Sequence, residues 1–246
     1  MVTRRLPLYL NIQPYMKKSI IILSTLLAAT IMNSCGNGSE PKVNLAEAQD
    51  QVTDTVTRKS LGAHAITLPQ PVLIIGTYDE NGVPNAMNVA WGGQVGGQQI
   101  ELNLSLGGRK TIDNLQIRKA FTVAFATVDT EVAADYVGIV SGQKEPNKME
   151  KSGLHAAKAS KVDAPMYVEF PVTVECNLRL MEETDYGEMR VVGDVVNVSA
   201  AESVLDENGK IDVQKAGIIC FDPAGMAYRT LGDKVGQPFR DGNQLK

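Results

Sequence analysis

The sequence predicts a mainly β fold in which six antiparallel strands close into a barrel and a few short helices connect them. Two observations support this prediction. Apolar and polar residues alternate in several short runs, as they do in strands that bury one face. Most links between these runs are short, which favours antiparallel pairing. The chain has 246 residues, of which 43% are hydrophobic, a composition typical of a globular protein of one or two domains.

The predicted strands fall into two groups along the chain. Four come before its middle, and a hairpin loop at 79–82 joins the first two. Two come later, and a second hairpin loop at 183–187 joins them. In order, the predicted strands are 72–78, 85–91, 100–106, 121–125, 171–180 and 188–198.

Three short helical segments are predicted between the strands. The first runs over 109–119, directly after a glycine pair. The second covers 130–140, where apolar positions fall near helical spacing and Gly142 follows as a stop signal. The third is a single turn near Lys148, within a lysine-rich connection at 144–161. Long connections of this kind are often functional or mobile.

Residues 1–35 have the pattern of a leader. The basic pair Lys17-Lys18 precedes an apolar run that extends to Ile31, as in a secretory signal. This run is shorter than the roughly 20 residues that a membrane-spanning helix needs. The sequence around Cys35 resembles a bacterial lipoprotein cleavage site, so we expect Cys35 to be lipidated and to become the mature N-terminus. A plain secretory signal with an unmodified Cys35 is the alternative.

The rest of the chain is predicted to form a polar tether at 36–60 and one folded domain at 61–246. The tether would hold the domain away from a membrane surface. We therefore expect an exported lipoprotein that is anchored to a membrane of the bacterial envelope through Cys35. A secreted or periplasmic protein is the alternative. Cys176 and Cys220 could pair in an exported protein, but both lie in apolar runs, and we expect unpaired core cysteines.

Charge and histidine content disfavour several classes of function. The formal net charge is −4 and no basic face is concentrated in the sequence, which argues against a nucleic-acid binder. The two histidines, His64 and His155, lie far from any carboxylate or cysteine pair at ligand spacing, so no metal site is predicted. The same scarcity gives a Ser-His-Asp arrangement poor support.

The junction between the third predicted strand and the first helix has the pattern of an anion site. A glycine pair ends the strand and the basic pair Arg109-Lys110 follows. The first backbone N–H groups of a helix have no partner inside the helix, and the helix dipole adds positive potential there. Arg109 can bind phosphate oxygens with both arms of its guanidinium, and Thr111 and Asn114 can complete the shell. This junction therefore predicts a site for one phosphate.

The second predicted strand offers amide side chains and small residues beside that junction. Each side chain also has an ordinary interpretation. Asn85 and Asn88 can be polar residues of an edge strand, Trp91 can be a core aromatic, and Arg109-Lys110 can be a solvated turn. Only the joint pattern favours a binding site over these alternatives.

Five motifs, taken together and in order, are similar to those of the flavin reductase-like, FMN-binding split-barrel family, most closely its flavoredoxin branch. The resemblance runs from about Leu68 to the C-terminus. The motifs are the hairpin segment 76–82, the strand segment 85–91, Arg109-Lys110-Thr111 with Asn114, the segment 134–142 and the segment 228–232.

This resemblance implies a six-stranded antiparallel Greek-key split barrel that forms a homodimer with FMN at the subunit interface. It also implies which residues contact the cofactor. Lining the flavin and its ribityl chain would be Asn85, Ala86, Met87 and Asn88; near the ring, Ala90 and Trp91; and holding the phosphate, Arg109, Lys110, Thr111 and Asn114. The glycine-rich segment 92–97 departs from relatives, which often have a second aromatic residue after the tryptophan.

The function implied is an FMN-binding flavin reductase or flavoredoxin-like oxidoreductase. It would transfer reducing equivalents from NAD(P)H, a transient electron donor, to flavin or onward to an acceptor. The flavin carries the chemistry, so no catalytic side chain is expected. An exported protein would meet little nicotinamide, which leaves a second class open, a non-enzymatic FMN-binding electron-carrier lipoprotein. A split-barrel surface protein without flavin is the third.

Overall fold

The structure, a computed structural model, describes residues 57–107 and 109–246. Within it, Gly62–Lys246 forms one compact unit. The predicted leader with Cys35, the tether residues 36–56 and Gly108 of the predicted glycine turn lie outside the described residues.

Strands dominate the described part of the chain, with helices as short connections. The strands are β1 (Gln70–Pro71), β2 (Leu73–Tyr78), β3 (Pro84–Val89), β4 (Gly92–Gln94), β5 (Gln99–Ser105), β6 (Ala120–Phe125), β7 (Ala156–Lys158), β8 (Pro165–Tyr167), β9 (Val172–Glu183), β10 (Glu188–Ala200), β11 (Ile219–Asp222) and β12 (Ala227–Thr230). The α-helices are α1 (Lys110–Arg118), α2 (Glu131–Ile139) and α3 (Lys148–Ser152), and short 3₁₀ turns lie at Val128–Thr130, Glu202–Val204 and Asp241–Leu245.

The main sheet has the order β3-β2-β6-β9-β10-β5-β4 and is antiparallel throughout. It contains all six predicted strands, so the predicted mainly β antiparallel architecture is confirmed. The seventh strand, β4, comes from the glycine-rich segment. A Cβ atom on Gly92 would lie 2.6 Å from the carbonyl oxygen of Glu101, so glycine lets this strand approach β5 closely. Two small sheets, β1-β11-β12 and β7-β8, complete the fold.

The main sheet curls, but hydrogen bonds do not close it within the described residues. Its two edge strands, β3 and β4, follow one another in the chain and are separated only by Ala90 and Trp91. The strand pattern alone predicts closure, whereas the outward backbone groups of β3 are taken by α3. The Ala86 amide donates to Met149 Sδ at 3.3 Å, and Lys148 Nζ donates to the Ala86 carbonyl at 2.7 Å. The barrel is therefore split at this edge.

Both faces of the sheet bury apolar side chains. Along β2, Leu73 and Ile75 belong to one apolar cluster, and Ile74 belongs to another. The first cluster draws on the long strands and on Ile112 and Leu115 of α1. The second includes residues of α2. Because β2 is buried on both faces, its sequence is a continuous apolar run and lacks the alternation of a half-exposed strand.

The two cysteines of the folded unit are free and buried, as expected. Burial, with the nearby Asp194 and Glu175 carboxylates, raises the pKa of the Cys176 thiol to about 12, so this thiol is unreactive at neutral pH. Within residues 57–107 and 109–246, none of the helices has the length and apolar character needed to cross a membrane.

Candidate functional site

Strand β3 presents two sets of side chains because successive residues point to opposite faces. Asn85 and Met87 point to one side, where both line a cavity. Ala86 and Asn88 alternate with them. The Ala86 side chain is fully buried in the cluster that includes residues of α2, and Asn88 Nδ2 donates to the Ala134 carbonyl at 3.1 Å. Of the predicted β3 residues, Ala86 therefore contributes through its position in the strand and not through an exposed side chain.

The start of α1 forms the floor of the cavity. Arg109 is the N-cap residue in an extended conformation, and no side chain caps the first turn. The Thr111 hydroxyl is buried and accepts a hydrogen bond from Asn85 Nδ2 at 3.1 Å. This bond ties the helix start to β3. Within the described part of the chain, the Arg109 guanidinium has no hydrogen-bond or ion-pair partner.

Two other predicted phosphate residues are engaged elsewhere. The Asn114 side chain is buried and donates to Thr77 Oγ1 at 2.9 Å, so it lies behind the cavity and joins α1 to β2. Lys110 lines the cavity, but its ammonium forms an ion pair with Asp79 Oδ2 at 2.9 Å. Partial burial opposes ionisation of Asp79, yet hydrogen bonds from Lys110 and from loop amides lower its pKa overall.

The opposite wall of the cavity comes from the end of α2 and the turn after it. Two glycines allow this wall to approach β3. A Cβ atom on Gly138 would lie 3.0 Å from the Asn88 Cβ, and one on Gly142 would lie 2.5 Å from Asn85 Oδ1. A larger residue at Gly142 would push against the asparagine that holds Thr111.

Lys148 is a charged residue of the cavity that the sequence does not mark as a site residue. It is only 4% exposed and lines the cavity from α3. Burial first, and then the charge of Arg109, lowers the pKa of its ammonium to about 8. In the sequence, Lys148 stands in a lysine-rich connection that has the composition of a solvated link. The predicted helical turn at this position was the only local signal.

The cavity has a volume of about 200 Å³ and a strongly one-sided charge. Its charged lining residues are Arg109, Lys110 and Lys148, and no carboxylate lines it. A second, smaller cavity of about 110 Å³ shares Met87 and Arg109 with the first. The structure thus brings nine of the ten predicted residues to the two cavities or to the strand between them, and places Asn114 behind. Around the second cavity lie Met87, Asn88, Val89, Ala90, Trp91, Asn103, Leu104, Ser105 and Arg109.

Trp91 stands at the split in the barrel and is 50% exposed. It is therefore not the core aromatic of the alternative interpretation. Its carbonyl accepts a hydrogen bond from the Asn103 amide at 2.8 Å, which holds the corner against β5. The ring offers an apolar surface beside the second cavity.

The C-terminal segment 228–232 contacts α2 outside the two cavities. The Tyr228 hydroxyl donates to Asp135 Oδ1 at 2.8 Å, which joins β12 to α2. Burial and this contact raise the pKa of Tyr228 to about 12. Tyr228 and Asp135 therefore act in packing, because neither lines the two cavities.

A larger cavity of about 610 Å³ lies elsewhere on the main sheet, between residues that include Leu73, Ile100, Phe125 and Val195. None of its lining side chains is charged, so it offers no counter-charge to a phosphate. Among the described residues, no group of three or more His, Cys, Asp and Glu side chains is placed to hold a metal ion.

Comparison with known proteins agrees with the fold. The model of the flavin reductase like domain family matches residues 65–216, a range that contains every predicted cofactor residue. The solved structure of flavoredoxin of Desulfovibrio vulgaris (Miyazaki F) is 32% identical, with a TM-score of 0.71. The match covers 76% of this chain and 100% of that one.

Two more distant structures share the fold. Flavoredoxin from Methanosarcina acetivorans is 21% identical with a TM-score of 0.70, over 78% of this chain and 100% of that one. An FMN-binding domain of a flavin reductases-like enzyme from Shewanella baltica OS155 is 18% identical with a TM-score of 0.59, over 68% and 89%. At these identities, the similarity supports the architecture alone.

Proposed function

The chain belongs to the flavin reductase-like domain family, and from this premise we propose that it binds FMN and acts as an NAD(P)H-dependent oxidoreductase. It would pass reducing equivalents to flavin or onward to an acceptor. The observation that carries the proposal is the cavity at the start of α1, which three basic residues line and no carboxylate does.

The residues present fit the anionic end of FMN. The Arg109 guanidinium has free donors, and the first amides of α1 add the positive end of the helix dipole. Thr111 is held in place by Asn85. Arg109, Thr111 and the helix start would therefore bind the phosphate, with Lys110 as a nearby charge that Asp79 already neutralises in part.

The neighbouring residues would hold the rest of the cofactor. Met87 lines both cavities, so it lies where the phosphate end and the ring end would meet. Asn88 is fixed by the Ala134 carbonyl and borders the second cavity. Ala90 and Trp91 border it too and offer apolar surface to a planar ring.

Bound FMN would supply the redox chemistry, including acceptance of a hydride from a nicotinamide. The chain's own task is to hold the cofactor in one orientation and to limit water at its edge. No described side chain of the two cavities needs to act as a general acid or base.

A homodimer with FMN at the interface is part of the proposal. Ligand pockets usually measure about 300–1,000 Å³, and the two cavities measure about 200 and 110 Å³. Each cavity alone is smaller than this range, and Trp91 is half exposed beside the second one. A second copy of the chain would supply the missing wall.

We further propose an exported protein whose mature N-terminus is a lipidated Cys35, anchored to a membrane. The basic pair, the apolar run and the cysteine of the predicted leader support this. The same leader favours a second candidate function, a non-enzymatic FMN-binding electron carrier served by a membrane partner, because an exported protein would meet little NAD(P)H.

A visible absorption spectrum followed by addition of NADH or NADPH separates these functions. Purified protein that shows flavin absorption and bleaches without another enzyme supports the reductase. Flavin absorption that persists until another reductant is added supports the carrier. A colourless protein that does not take up added FMN would contradict both.

A further inference from the structure

Lys148 is buried, lines the cavity and keeps hydrogen-bonding capacity to spare. It belongs to α3, yet its ammonium reaches back to β3 and lies at the cavity wall. One of its three N–H groups donates to the Ala86 carbonyl at 2.7 Å. No acceptor for the other two occurs within residues 57–107 and 109–246.

A buried ammonium without a carboxylate partner is costly, because burial removes its hydration. Lys148 is 4% exposed, and the other two charged residues that line the cavity, Arg109 and Lys110, carry the same sign. Lys110 has its own partner in Asp79. An anion in the cavity would compensate Lys148 and Arg109 together.

We propose that Lys148 is the second cation of the phosphate site and that its ammonium donates to the FMN phosphate from α3. This inference rests on the proposed function and adds a binding residue to it. Lys148 would also fix the position of α3 relative to β3. Its hydrogen bond to the Ala86 carbonyl joins α3 to β3. The same ammonium would therefore bind both β3 and the phosphate.

The site would then be built by three separate segments of the chain. The start of α1 supplies Arg109 and Thr111, and β3 holds Thr111 through Asn85. The lysine-rich connection supplies Lys148. Binding of the phosphate would draw these segments together. The connection at 144–161 is therefore part of the binding site and not only a link.

Comparison of FMN with riboflavin tests the proposal, because riboflavin lacks only the phosphate. The measured quantity is the ratio of the two dissociation constants, determined by calorimetry on the flavin-free full chain. Lys148→Gln removes the charge but keeps an N–H donor for the Ala86 carbonyl. We expect it to lower the preference for FMN by tenfold or more, while riboflavin affinity stays within about threefold.

Lys151→Met is the matched control on the same helix. Lys151 is exposed and pairs with Glu145 at 2.6 Å, so its loss should leave both affinities unchanged. Lys148→Arg keeps the charge and should retain most of the preference for FMN. If Lys148→Gln does not fold, Lys148→Arg and Lys148→Met, compared by the same ratio, serve in its place.

The outcomes separate this inference from the proposed function. An unchanged FMN preference in Lys148→Gln, with a reduced preference in Arg109→Ala, would overturn the role of Lys148 and leave the phosphate site intact. Equal losses for FMN and riboflavin would overturn it as well, because they would show a purely structural role. Wild-type protein that binds both flavins equally, or neither, would contradict the phosphate site itself.

Discussion

At the scale of single residues, Arg109 carries the sharpest prediction. Its guanidinium lines both cavities and has no partner among the described side chains, so Arg109→Ala removes binding capacity without breaking an internal bond. We expect FMN affinity to fall by roughly 1.5–3 kcal/mol, or about tenfold to a hundredfold. Titration with FMN measures the loss, and an unaltered dissociation constant would remove Arg109 from the site.

Arg118→Ala provides the comparison for that experiment. Arg118 ends α1, where it donates to the Asp79 and Glu80 carbonyls and pairs with Asp163. It lines neither cavity. A lower unfolding midpoint with preserved FMN affinity is the result expected for Arg118, and the reverse pattern is expected for Arg109.

A second residue-scale prediction concerns pH. Burial and the Arg109 charge lower the pKa of Lys148 to about 8 in the free protein, and a bound phosphate would raise it again. Binding therefore favours the protonated lysine. FMN affinity should be highest between about pH 6, above which the phosphate is mainly a dianion, and about pH 8. It should fall by about tenfold or more as the pH rises towards 10.

The other charged side chains at this cavity are not expected to produce the same pH dependence of FMN affinity. Arginine side chains in general do not lose their proton in proteins. Lys110 forms an ion pair with Asp79, and α3 also carries Glu150 and Lys151. Riboflavin affinity should stay flat over the same range, and Lys148→Gln should flatten the curve for FMN. A steep fall that persists in Lys148→Gln would assign the titration to another group.

The residues of the site differ in how far the sequence could predict them. Arg109 and Thr111 follow directly after a strand and a glycine pair, so a local pattern sufficed to place them at a helix start. Asn114 stands in the same motif, but its side chain turns to Thr77, which depends on how α1 packs on β2. Lys148 is buried only because α3 covers the open edge of β3, a contact over a long stretch of chain that no local pattern records.

At the scale of elements, the strands were predictable because one or both of their faces are apolar, and the pairing order of the sheet was not. The split shows why. Whether the barrel closes depends on which element binds the free backbone N–H and C=O groups of β3. Here the Ala86 amide and carbonyl bind α3 and not β4. The five residues of α3 are too few for a periodic signal.

The register shift at Gly193 in β10 supports a stability prediction. The register between β10 and β9 shifts at Val192 and Gly193, and the Phe121 ring lies against Gly193. A Cβ atom there would be 2.7 Å from Phe121 Cε1 and 2.9 Å from the Cys176 Cβ, both in buried residues. We expect Gly193→Ala to destabilise the fold by about 1–3 kcal/mol, measured by urea unfolding.

Gly232→Ala is the control for that substitution. A Cβ atom on Gly232 would meet no atom within 4 Å, so the midpoint of unfolding should hardly move. Equal midpoints for Gly193→Ala and Gly232→Ala would show that the Phe121 ring can move aside and that the close approach is not required.

At the scale of the whole molecule, FMN binding and formation of the predicted homodimer are expected to depend on each other. The cavities of a single chain are small, and Trp91 is half exposed between the two edges of the sheet. If FMN contacts both subunits, then FMN binding and dimer formation must stabilise each other by the same factor. A cofactor held by one chain alone would leave the dimer unaffected.

We therefore expect FMN to lower the dissociation constant of the dimer by about fivefold or more. Sedimentation of the flavin-free and FMN-loaded chain over a dilution series measures it. Arg109→Ala at a saturating concentration of FMN should recover the same dimer, because that substitution weakens phosphate binding and not the interface. Identical dimer dissociation constants with and without FMN would place the cofactor within one subunit, and the second copy would then have no part in the site.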